Sequence, residues 1–408
     1  MKEGWEIKKL GEVANIIYGY TEKASYAKIG PKFLRITDIQ DNGVEWDSVP
    51  YCSISESEFE KYKLSDGDIV FARTGATTGK SYLLSNPPKS VFASYLIKVH
   101  INNGELLPEY LYFFFQTNIY WERIYEGISG SAQGGFNASK LSELQIPLPP
   151  LPEQRRIVSF LDEALAAITI VKANAEQNLK NARELFDSYL QSVFLNNGKE
   201  WEEKTLREVC EIKPPKNEAR NKLHKTDLVS FVPMEDLGIN QKFFTPTKQK
   251  QLSQVEGSYT YFAEGDILIA KITPCFENGK LGIARSLING IGFGSSEFIV
   301  FRVSKNLFSE FLYFFLLRKS FRAEGAERMT GAVGHKRVTK EFIYNYRLPM
   351  PPLNEQRSIV EKLDSLSIEI EKLDAIYQKK LNNLDVLKKS ILQKAFKGEL
   401  NTDKALVV

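Results

Sequence analysis

The sequence is poor in the side chains from which catalytic and metal centres are most often built. Its 408 residues include only three cysteines and three histidines, namely Cys52, Cys210, Cys275, His100, His224 and His335. The cysteines lie far apart along the chain, which excludes a disulfide framework and a C-x-x-C zinc site. Metal hydrolases and Ser-His-Asp enzymes are therefore weakly supported classes, and we predict no catalytic residue and no metal ligand.

Long apolar runs are also lacking. No stretch approaches the roughly 18 apolar residues that a transmembrane helix needs, and the first five residues lack the apolar core of a secretory signal. The 54 Lys+Arg nearly balance the 51 Asp+Glu, so the net charge of +3 does not by itself indicate a nucleic-acid partner. Because 43% of the residues are apolar and 26% charged, the composition is that of a globular protein. We expect a cytoplasmic chain without membrane contact.

What the sequence does contain is an internal repeat. Residues 147–158 have the sequence PLPPLPEQRRIV and residues 349–360 have PMPPLNEQRSIV, which agree at nine of twelve positions with an offset of 202. Further matches lie upstream, in Trp5 and Trp201, in 67–69 and 265–267, and in 109–114 and 310–315. The chain is therefore two copies of one unit.

Each copy consists of a globular part followed by a helical part. The globular parts are residues 1–150 and 199–350, and the helical parts are 151–198 and 351–408. In the first globular part, β-branched and aromatic runs between turn residues predict strands at Lys32–Thr37, Ile69–Arg73, Tyr82–Leu84 and Tyr95–Ile101. Pro108 suits a first helical turn and predicts a helix to about Tyr125.

The helical parts repeat apolar residues with the 3-4 spacing of a coiled-coil seam, the line of side chains that faces a partner helix. In the first copy the predicted seam is Leu161, Ala164, Ile168, Val171, Ala175, Asn178, Ala182, Leu185 and Tyr189. In the second copy it is Ile359, Leu363, Leu366, Ile370, Leu373, Tyr377, Lys380, Leu384, Leu387 and Ile391.

Such a helix cannot bury its seam alone, so we predict that the two helices pair side by side in opposite directions. The alternative is two separate amphipathic helices, each packed on its own globular part. Asn178 and Lys380 place a polar residue at the same seam position in both helices. This polar position is either a register pin or a tolerated defect.

Three short segments resemble catalytic motifs but depart from them. Residues 75–81 resemble a phosphate-binding loop, yet three residues rather than four separate the glycines. Residues 86–89 resemble the Asn-Pro-Pro-aromatic motif of amino-methyltransferases, but Lys89 replaces the ring that stacks on a flipped base. The glycine-rich residues 290–294 precede a strand-like run rather than a helix, so they favour a turn over a dinucleotide site.

The whole chain resembles the specificity subunit of type I restriction–modification systems. The resemblance is most specific in residues 149–158 and 351–360, in the openings 5–13 and 201–209, in 67–75, and in the ending 389–400. It implies an α+β fold: two pseudo-symmetric α/β target-recognition domains, 1–150 and 199–350, joined by spacer helices 151–198 and 351–408 that pair as an antiparallel coiled coil.

The resemblance also implies a function. Each domain of such a non-catalytic subunit would recognise one half of a bipartite site on double-stranded DNA, and the paired helices would set the half-site spacing and dock two modification methyltransferase subunits. Restriction–translocase subunits would join that complex. No cofactor is expected in this chain, because S-adenosylmethionine, ATP and Mg would bind the partners. The rival classes are a methyltransferase fusion and a coiled-coil adaptor that reads no bases.

Two loops in each domain are the best candidates for DNA contact, because glycines allow close backbone approach and hydroxyl and basic groups reach phosphates or base edges. The candidates in the first domain are Arg73, Thr74, Thr77, Lys80, Ser131, Gln133 and Lys140. Those in the second are Lys271, Thr273, Lys280, His335, Lys336 and Arg337. The alternative is tight structural turns with solvated cations.

Charge divides unequally between the two globular parts. Residues 1–150 carry 15 basic and 18 acidic groups, whereas residues 199–350 carry 24 and 18. A DNA-binding domain with negative net charge must concentrate its cations locally.

The triplets at the starts of the two helices are predicted to contact a partner subunit, or alternatively to cap the helices. They are Glu153, Gln154, Arg155 and Glu355, Gln356, Arg357.

Overall fold

The computed structural model of the chain describes residues 3–40, 43–102, 104–129, 135–195, 201–332 and 334–400. It divides into two compact units, the first of which is made of two separate stretches of the chain. Unit 1 comprises Met1–Glu176 with Gln378–Val408, and unit 2 comprises Gln177–Tyr377. Each unit therefore holds one globular domain, called domain 1 or domain 2, and a part of each long helix.

Domain 1 combines short strands with short helices and leads into a long helix. Its strands are β1 (Glu6–Lys9), β2 (Ala14–Tyr18), β3 (Lys32–Leu34), β4 (Ile39–Gln40), β5 (Gly43–Val44), β6 (Ile69–Ala72), β7 (Ser81–Leu83), β8 (Ser90–Phe92), β9 (Leu96–Ile101) and β10 (Gln145–Leu148). Its helices are α1 (Leu10–Val13), α2 (Glu56–Tyr62), α3 (Pro108–Phe114), α4 (Asn118–Ser129) and α5 (Ala138–Ser142), followed by the long α6 (Leu151–Leu195).

The central sheet of domain 1 is antiparallel, with the strand order β2-β9-β6-β7. Strand β6 has the sequence IVFA and is buried at every position, as a short continuous apolar run predicts. Strands β1 and β10 pair Glu6 with Leu148, so the start of the domain is hydrogen-bonded to its end. The long helix α6 begins directly after this closure.

Domain 2 repeats the plan with longer sheets. Its strands are β11 (Glu202–Thr205), β12 (Cys210–Ile212), β13 (Leu228–Val232), β14 (Phe243–Phe244), β15 (Lys248–Gln251), β16 (Thr260–Ala263), β17 (Ile267–Ala270), β18 (Leu281–Ala284), β19 (Ile291–Gly294), β20 (Phe298–Val303) and β21 (Arg347–Met350). Its helices are α7 (Leu206–Val209), α8 (Asn217–Lys222), α9 (Leu252–Val255), α10 (Ser309–Leu317), α11 (Lys319–Glu327) and α12 (Lys340–Asn345), followed by the long α13 (Leu353–Lys397).

Two sheets form the body of domain 2, with the orders β12-β20-β17-β18-β14 and β15-β13-β19-β16. Strand β17, the counterpart of β6, has the sequence ILIA and is again buried throughout. Strands β11 and β21 pair Glu202 with Met350, which reproduces the closure of domain 1. The repeat seen in the sequence is therefore a repeat of structure.

The predicted strands of domain 1 are present as β3, β6, β7 and β9, whereas the predicted helix Pro108–Tyr125 is two helices. Residues 115–117 separate α3 from α4. The Thr117 hydroxyl accepts a hydrogen bond from the Tyr120 backbone N–H at 3.2 Å and so caps α4. Aromatic residues continue through the break, so the apolar pattern did not reveal it.

The Gly-Asp-Ile motif shared by the copies anchors each domain. Asp68 is fully buried and lies 2.7 Å from the Nδ1 of His100. Its counterpart Asp266 accepts hydrogen bonds from the Arg302 guanidinium at 2.9 and 2.8 Å. Burial raises the pKa of Asp266 and the Arg302 hydrogen bonds oppose the rise. A buried carboxylate needs such a partner, so the motif has a structural role in both domains.

The predicted seam of α6 is right up to Ala175 and wrong beyond it. The buried residues on the earlier part are Leu161, Ala164, Ile168 and Ala175. Those on the later part are Leu179, Leu190 and Phe194, whereas the predicted Asn178, Leu185 and Tyr189 are exposed. A straight α-helix has 3.6 residues per turn, so a strict 3.5-residue pattern drifts off one face. The four-residue step from Ala175 to Leu179 restores the face.

The register pin proposed for Asn178 and Lys380 is wrong, because both side chains are exposed. The residue after each is a leucine, and these two leucines, Leu179 and Leu381, are buried. Each helix is therefore apolar at the residue that follows its predicted polar seam position.

In unit 1, α6 and α13 pack side by side in opposite directions. The Lys172 ammonium donates to the Asp385 carboxylate at 3.1 Å. Leu161 lies eleven residues before Lys172 on α6, and Phe396 lies eleven residues after Asp385 on α13. Both belong to one buried cluster with the core of domain 1. The ring of Phe396 lies 4.9 Å from that of Tyr110. The last turns of α13 thus complete the core of domain 1.

Unit 2 shows the same antiparallel arrangement with the helices exchanged. The Arg183 Nε donates to Asp374 at 2.8 Å. Phe194 lies eleven residues after Arg183 on α6, and Leu363 lies eleven residues before Asp374 on α13. Both belong to the buried cluster of domain 2. The ring of Phe194 lies 5.1 Å from that of Phe311. The last turns of α6 thus complete the core of domain 2.

Candidate nucleic-acid interface

The two predicted DNA-contact segments of domain 1 meet in the structure. The Phe136 backbone N–H, in the second segment, donates to the carbonyl of Arg73 in the first at 3.0 Å. Two of the predicted residues, Ser131 and Gln133, lie outside the described residues. Arg73 therefore lies where the described part of the second segment meets the first.

Arg73 is held in a fixed orientation at the end of β6. Its Nε donates to the Ser94 carbonyl at 2.8 Å, and its guanidinium lies 5.0 Å from the centre of the Tyr18 ring. In the described part of domain 1 its two Nη groups make no hydrogen bond within the protein. An arginine has five N–H donors in a planar fork, so the outer edge of this one can bind a guanine edge or a phosphate.

The turn after Arg73 presents the other candidates of this loop. Thr74 and Thr77 are half-buried and Lys80 is exposed. Gly75 has a φ of 76°, a backbone conformation that favours glycine. The buried Thr78 hydroxyl donates to the Gly75 carbonyl at 2.8 Å and closes the turn.

Lys140 is tied down within the protein. Its ammonium donates to the Gly127 carbonyl at 2.6 Å, and its backbone N–H donates to the Asn137 side chain, the N-cap of α5. The geometry gives this lysine a structural use that sequence reasoning did not anticipate.

In domain 2 the two predicted segments are joined more tightly. The Thr273 N–H donates to the Lys336 carbonyl at 3.0 Å, and the Val338 N–H donates to the Lys271 carbonyl at 2.9 Å. Residues about sixty positions apart are therefore neighbours on one surface. His335 and Lys336 are exposed there.

Several predicted side chains of domain 2 already have partners in the protein. Arg337 donates twice to Glu297, at 2.9 and 2.8 Å, and these hydrogen bonds hold the pKa of Glu297 below its usual range. The Thr273 hydroxyl donates to Glu277 at 3.1 Å, and the Lys280 ammonium donates to the Met234 carbonyl at 2.8 Å. These contacts orient the loop.

Sequence reasoning missed four residues that line the same surfaces. Tyr18 supports Arg73, and Tyr95, whose carbonyl accepts from the Arg73 N–H at 3.2 Å, is exposed beside it. In domain 2, Lys213 and Lys216 share a cavity with Lys271. The signal for the two lysines was their place just after the strand that follows the repeated opening. At the offset of 196, the matching residues of the first copy, Ile17 and Tyr20, are not basic.

The glutamines of the helix-start triplets are internal residues. Gln154 is fully buried; its side-chain oxygen accepts from the Leu107 N–H at 2.9 Å, and its amide donates to the carbonyls of Glu105 and Pro149 at 2.7 and 2.8 Å. Gln356, also fully buried, makes the equivalent three hydrogen bonds to Phe308, Asn306 and Pro351. Both glutamines fasten a helix start to its own domain, so their side chains are inaccessible to a partner subunit.

The charged members of the triplets remain at the surface. Arg155 and Arg357 are exposed, and Arg357 lies 5.3 Å from the Phe308 ring. Glu153 and Glu355 are half-buried, and Glu355 accepts a hydrogen bond from the Trp201 indole at 3.2 Å. The parts of the triplets that are open at the surface are therefore the two arginines and the edges of the two acids.

Among the described residues no group of three or more His, Cys, Asp and Glu side chains is arranged to hold a metal ion. A search of the same residues finds no helix with both the length and the apolar character needed to cross a membrane.

One family model matches most of the chain. The model of the type I restriction modification DNA specificity domain matches residues 2–181 and again residues 198–379. The two matches coincide with the two copies of the repeat and include part of each long helix.

Curated proteins with similar sequences include specificity subunits of type I restriction enzymes. The type I restriction enzyme EcoEI specificity subunit of Escherichia coli is 36% identical over 45% of this chain and 30% of that protein, so this chain spans about a third of its length. The EcoKI specificity subunit of Escherichia coli K12 is 25% identical over 98% of this chain and 90% of that protein.

Solved structures show the same fold. A chain from a structural study of complex assembly and conformational transition in the type I R-M system has a TM-score of 0.76 at 22% identity and covers 98% of this chain and 99% of that one. The HsdS subunit of Thermoanaerobacter tengcongensis has a TM-score of 0.59 at 21% identity, with 98% of each chain covered.

Proposed function

Because the chain belongs to the type I restriction modification DNA specificity family, we propose that it is the DNA-recognition subunit of such a complex. Domain 1 recognises one half of a bipartite site on double-stranded DNA and domain 2 recognises the other half. The paired helices α6 and α13 set the spacing between the halves. Methyl transfer and cleavage, with S-adenosylmethionine, ATP and Mg, are the work of partner subunits.

The observation that carries this proposal is the divergence of one loop within a shared fold. Strands β6 and β17 occupy equivalent places and are both fully buried. The loop after β6 presents Arg73 over the ring of Tyr18, whereas the loop after β17 presents Lys271 among other lysines. Two copies of one scaffold with different polar surfaces suit two different half-sites, because base-edge contacts carry the sequence information.

Exposed apolar side chains on the long helices support a role in docking protein partners. In unit 2, Leu185 and Ile368 are 64% and 50% exposed, and Leu185, Tyr189 and Leu366 line one groove along the two helices. Apolar patches of this kind on a polar helix pair favour a protein interface. We assign the two methyltransferase subunits to the helices, and the restriction–translocase subunits to the complex that they form.

A domain exchange tests the assignment. Replacing residues 1–150 with the equivalent domain of a relative should change one half of the methylated sequence in genomic DNA, and replacing residues 199–350 should change only the other half. The unaltered chain, expressed with the same partners, is the control for both. A change in both halves from either exchange, or methylation that persists when the gene is deleted, contradicts the proposal.

A further inference from the structure

Domain 2 contains a cavity of about 210 Å3 with an apolar floor and a basic rim. The floor includes the buried side chains of Phe298, Val338 and Ile343. The rim carries four lysines, Lys213, Lys216, Lys271 and Lys340. We call this cavity the lysine pocket.

The lysines crowd one another without enough acid to balance them. Burial is the largest cause that lowers the pKa of Lys271; Glu297 opposes it, and the charges of Arg337, Lys213 and Lys340 lower it further. Glu297 is itself engaged by two hydrogen bonds from Arg337. The one nearby carboxylate that opposes the shift is therefore shared between two cations.

Two of the ammonium groups are bound by carbonyls and two are available. Lys271 donates to the Ser296 carbonyl at 2.8 Å, and Lys216 donates to the Gly257 carbonyl at 2.7 Å. Lys213 and Lys340 are exposed and, within the described residues, neither ammonium makes a hydrogen bond or ion pair. Lys213 also has a φ of 63°, a conformation uncommon for lysine.

The residues of domain 1 that match Lys213 and Lys216 are not basic. At the offset of 196 that relates the two openings, Ile17 and Tyr20 stand where domain 2 has Lys213 and Lys216. The Tyr18 hydroxyl, which accepts from the Ala138 N–H at 3.0 Å, lies against Arg73 there. Lys213 and Lys216 thus account for part of the greater positive charge of domain 2.

We propose that the lysine pocket binds one deoxyribose phosphate unit of the DNA backbone, with the phosphate between Lys213, Lys340 and Lys271 and the sugar against the apolar floor. An anion relieves the repulsion among the ammonium groups, and the floor suits the apolar face of a sugar. This inference rests on the proposed function, since it names the part of the DNA that domain 2 holds. Such a contact fixes the register of the domain on the duplex.

The first test measures how salt weakens binding of the full chain to a DNA duplex of arbitrary sequence. The double variant Lys213→Gln/Lys340→Gln should reduce the slope of log K against log salt by about 0.9, the value for one lost phosphate contact. The matched control is Lys222→Gln/Lys305→Gln, which removes two exposed lysines of the same domain outside the pocket. Equal slopes for the two double variants overturn the proposal.

The second test separates a DNA phosphate from a free one by acetylation of Lys271 in the unaltered chain. The duplex should protect Lys271 from acetic anhydride at concentrations where deoxyadenosine monophosphate and inorganic phosphate do not. Equal protection by deoxyadenosine monophosphate would identify a free-nucleotide site, and equal protection by inorganic phosphate a simple anion site. Either result, like no protection at all, rejects the backbone assignment.

The two proposals fail in different ways. If the lysine variants bind duplexes with unchanged slope while domain exchange still alters one half of the methylated site, only the pocket assignment is lost. If deleting the gene leaves methylation unchanged, the proposed function is lost, whatever Lys271 binds.

Discussion

Single residues decide whether the candidate surface of domain 1 recognises sequence or only charge. Arg73 is fixed from two sides, by the Ser94 carbonyl and by the Tyr18 ring. A side chain fixed in this way loses little further freedom on binding, and its free Nη edge has the geometry for a guanine. Lys80, on the same turn, is exposed, and among the described residues its ammonium makes no hydrogen bond or ion pair.

Arg73→Glu should therefore weaken binding of the assembled complex to its target site by about 1–3 kcal/mol, and binding to unrelated duplexes much less. Lys80→Glu, the same reversal of charge on the same turn, should affect all duplexes alike. Affinities for target and non-target duplexes at one salt concentration check this. An Arg73→Glu effect of the same size on both duplexes would make Arg73 a phosphate contact.

A second prediction at this scale concerns the buried glutamine at the start of α6. Gln154→Ala leaves the Leu107 N–H and two backbone carbonyls without partners and should lower the free energy of unfolding by about 1–3 kcal/mol. Arg155→Ala, at the exposed next position, should change it by less than about 0.5 kcal/mol. Urea denaturation followed in domain 1 measures both. Similar effects of the two substitutions would contradict the structural role of Gln154.

Sequence patterns identified the segments in which these residues lie, but they did not predict the hydrogen bonds of the individual side chains. The Pro-Pro-Leu-x-Glu-Gln-Arg segment was identified because it repeats. Its sequence alone does not show that the glutamine is buried and the arginine exposed. Burial of Gln154 depends on Glu105 and Leu107, which come from a different part of the chain. The hydrogen bond from the Lys140 ammonium to the Gly127 carbonyl was not predicted either, because Gly127 also lies in a different segment of the chain.

At the scale of elements, the long helices carry a charge pattern that the repeat makes visible. Lys172 and Asp374 are equivalent at the offset of 202, as are Arg183 and Asp385. The observed pairs are Lys172 with Asp385 and Arg183 with Asp374, so α6 supplies both cations and α13 both acids. If α6 paired with another α6 in the same register, Lys172 would face Arg183. The pattern thus favours pairing of α6 with α13.

Two double variants with identical composition test this pattern. Arg183→Asp/Asp385→Lys places like charges at both pairs, whereas Arg183→Asp/Asp374→Lys keeps opposite charges at both. Because exposed ion pairs contribute about 0.2–1 kcal/mol each, the first variant should unfold about 1–2 kcal/mol more easily than the second at low salt. The difference should shrink in high salt. Equal stability of the two variants would show that these charges do not influence the pairing.

The seam illustrates what a periodic pattern can and cannot predict. The heptad pattern was right as far as Ala175, because over a few turns 3.5 and 3.6 residues per turn are nearly the same. The difference grows by about 20° per heptad, and at Leu179 and Leu190 the buried residue is the one after the predicted position. Leu185 and Tyr189, which the pattern placed in the seam, are instead exposed.

At the scale of the whole molecule, each domain core is completed by a helix end from the other copy. Phe396 packs on Tyr110 and Phe114, with ring centres 4.9 and 5.5 Å apart. Phe194 packs in the same way on the counterparts of these two residues in domain 2. The sequence predicted that the helices pair in opposite directions, but not that their ends enter the domain cores.

Phe396→Ala should destabilise domain 1 by about 3–5 kcal/mol, and Phe194→Ala should do the same to domain 2, because each removes a buried ring from a packed aromatic cluster. Hydrogen exchange at β6 and β17 reports the two domains separately. Each substitution serves as the control for the other. If Phe396→Ala accelerated exchange in β17 as much as in β6, the assignment of this helix end to domain 1 would be wrong.

The place of Phe396 in the core of domain 1 has a consequence for synthesis. The last strand of that domain ends at Leu148, whereas the helix turn that seals its core carries Leu392, Ala395 and Phe396. At about 5–20 residues per second, the ribosome needs roughly 10–50 s to make the intervening chain. During this time the aromatic side of domain 1 around Tyr110 stays open on the nascent polypeptide. Chaperones that bind exposed aromatic surface therefore have their longest opportunity at the domain that is made first.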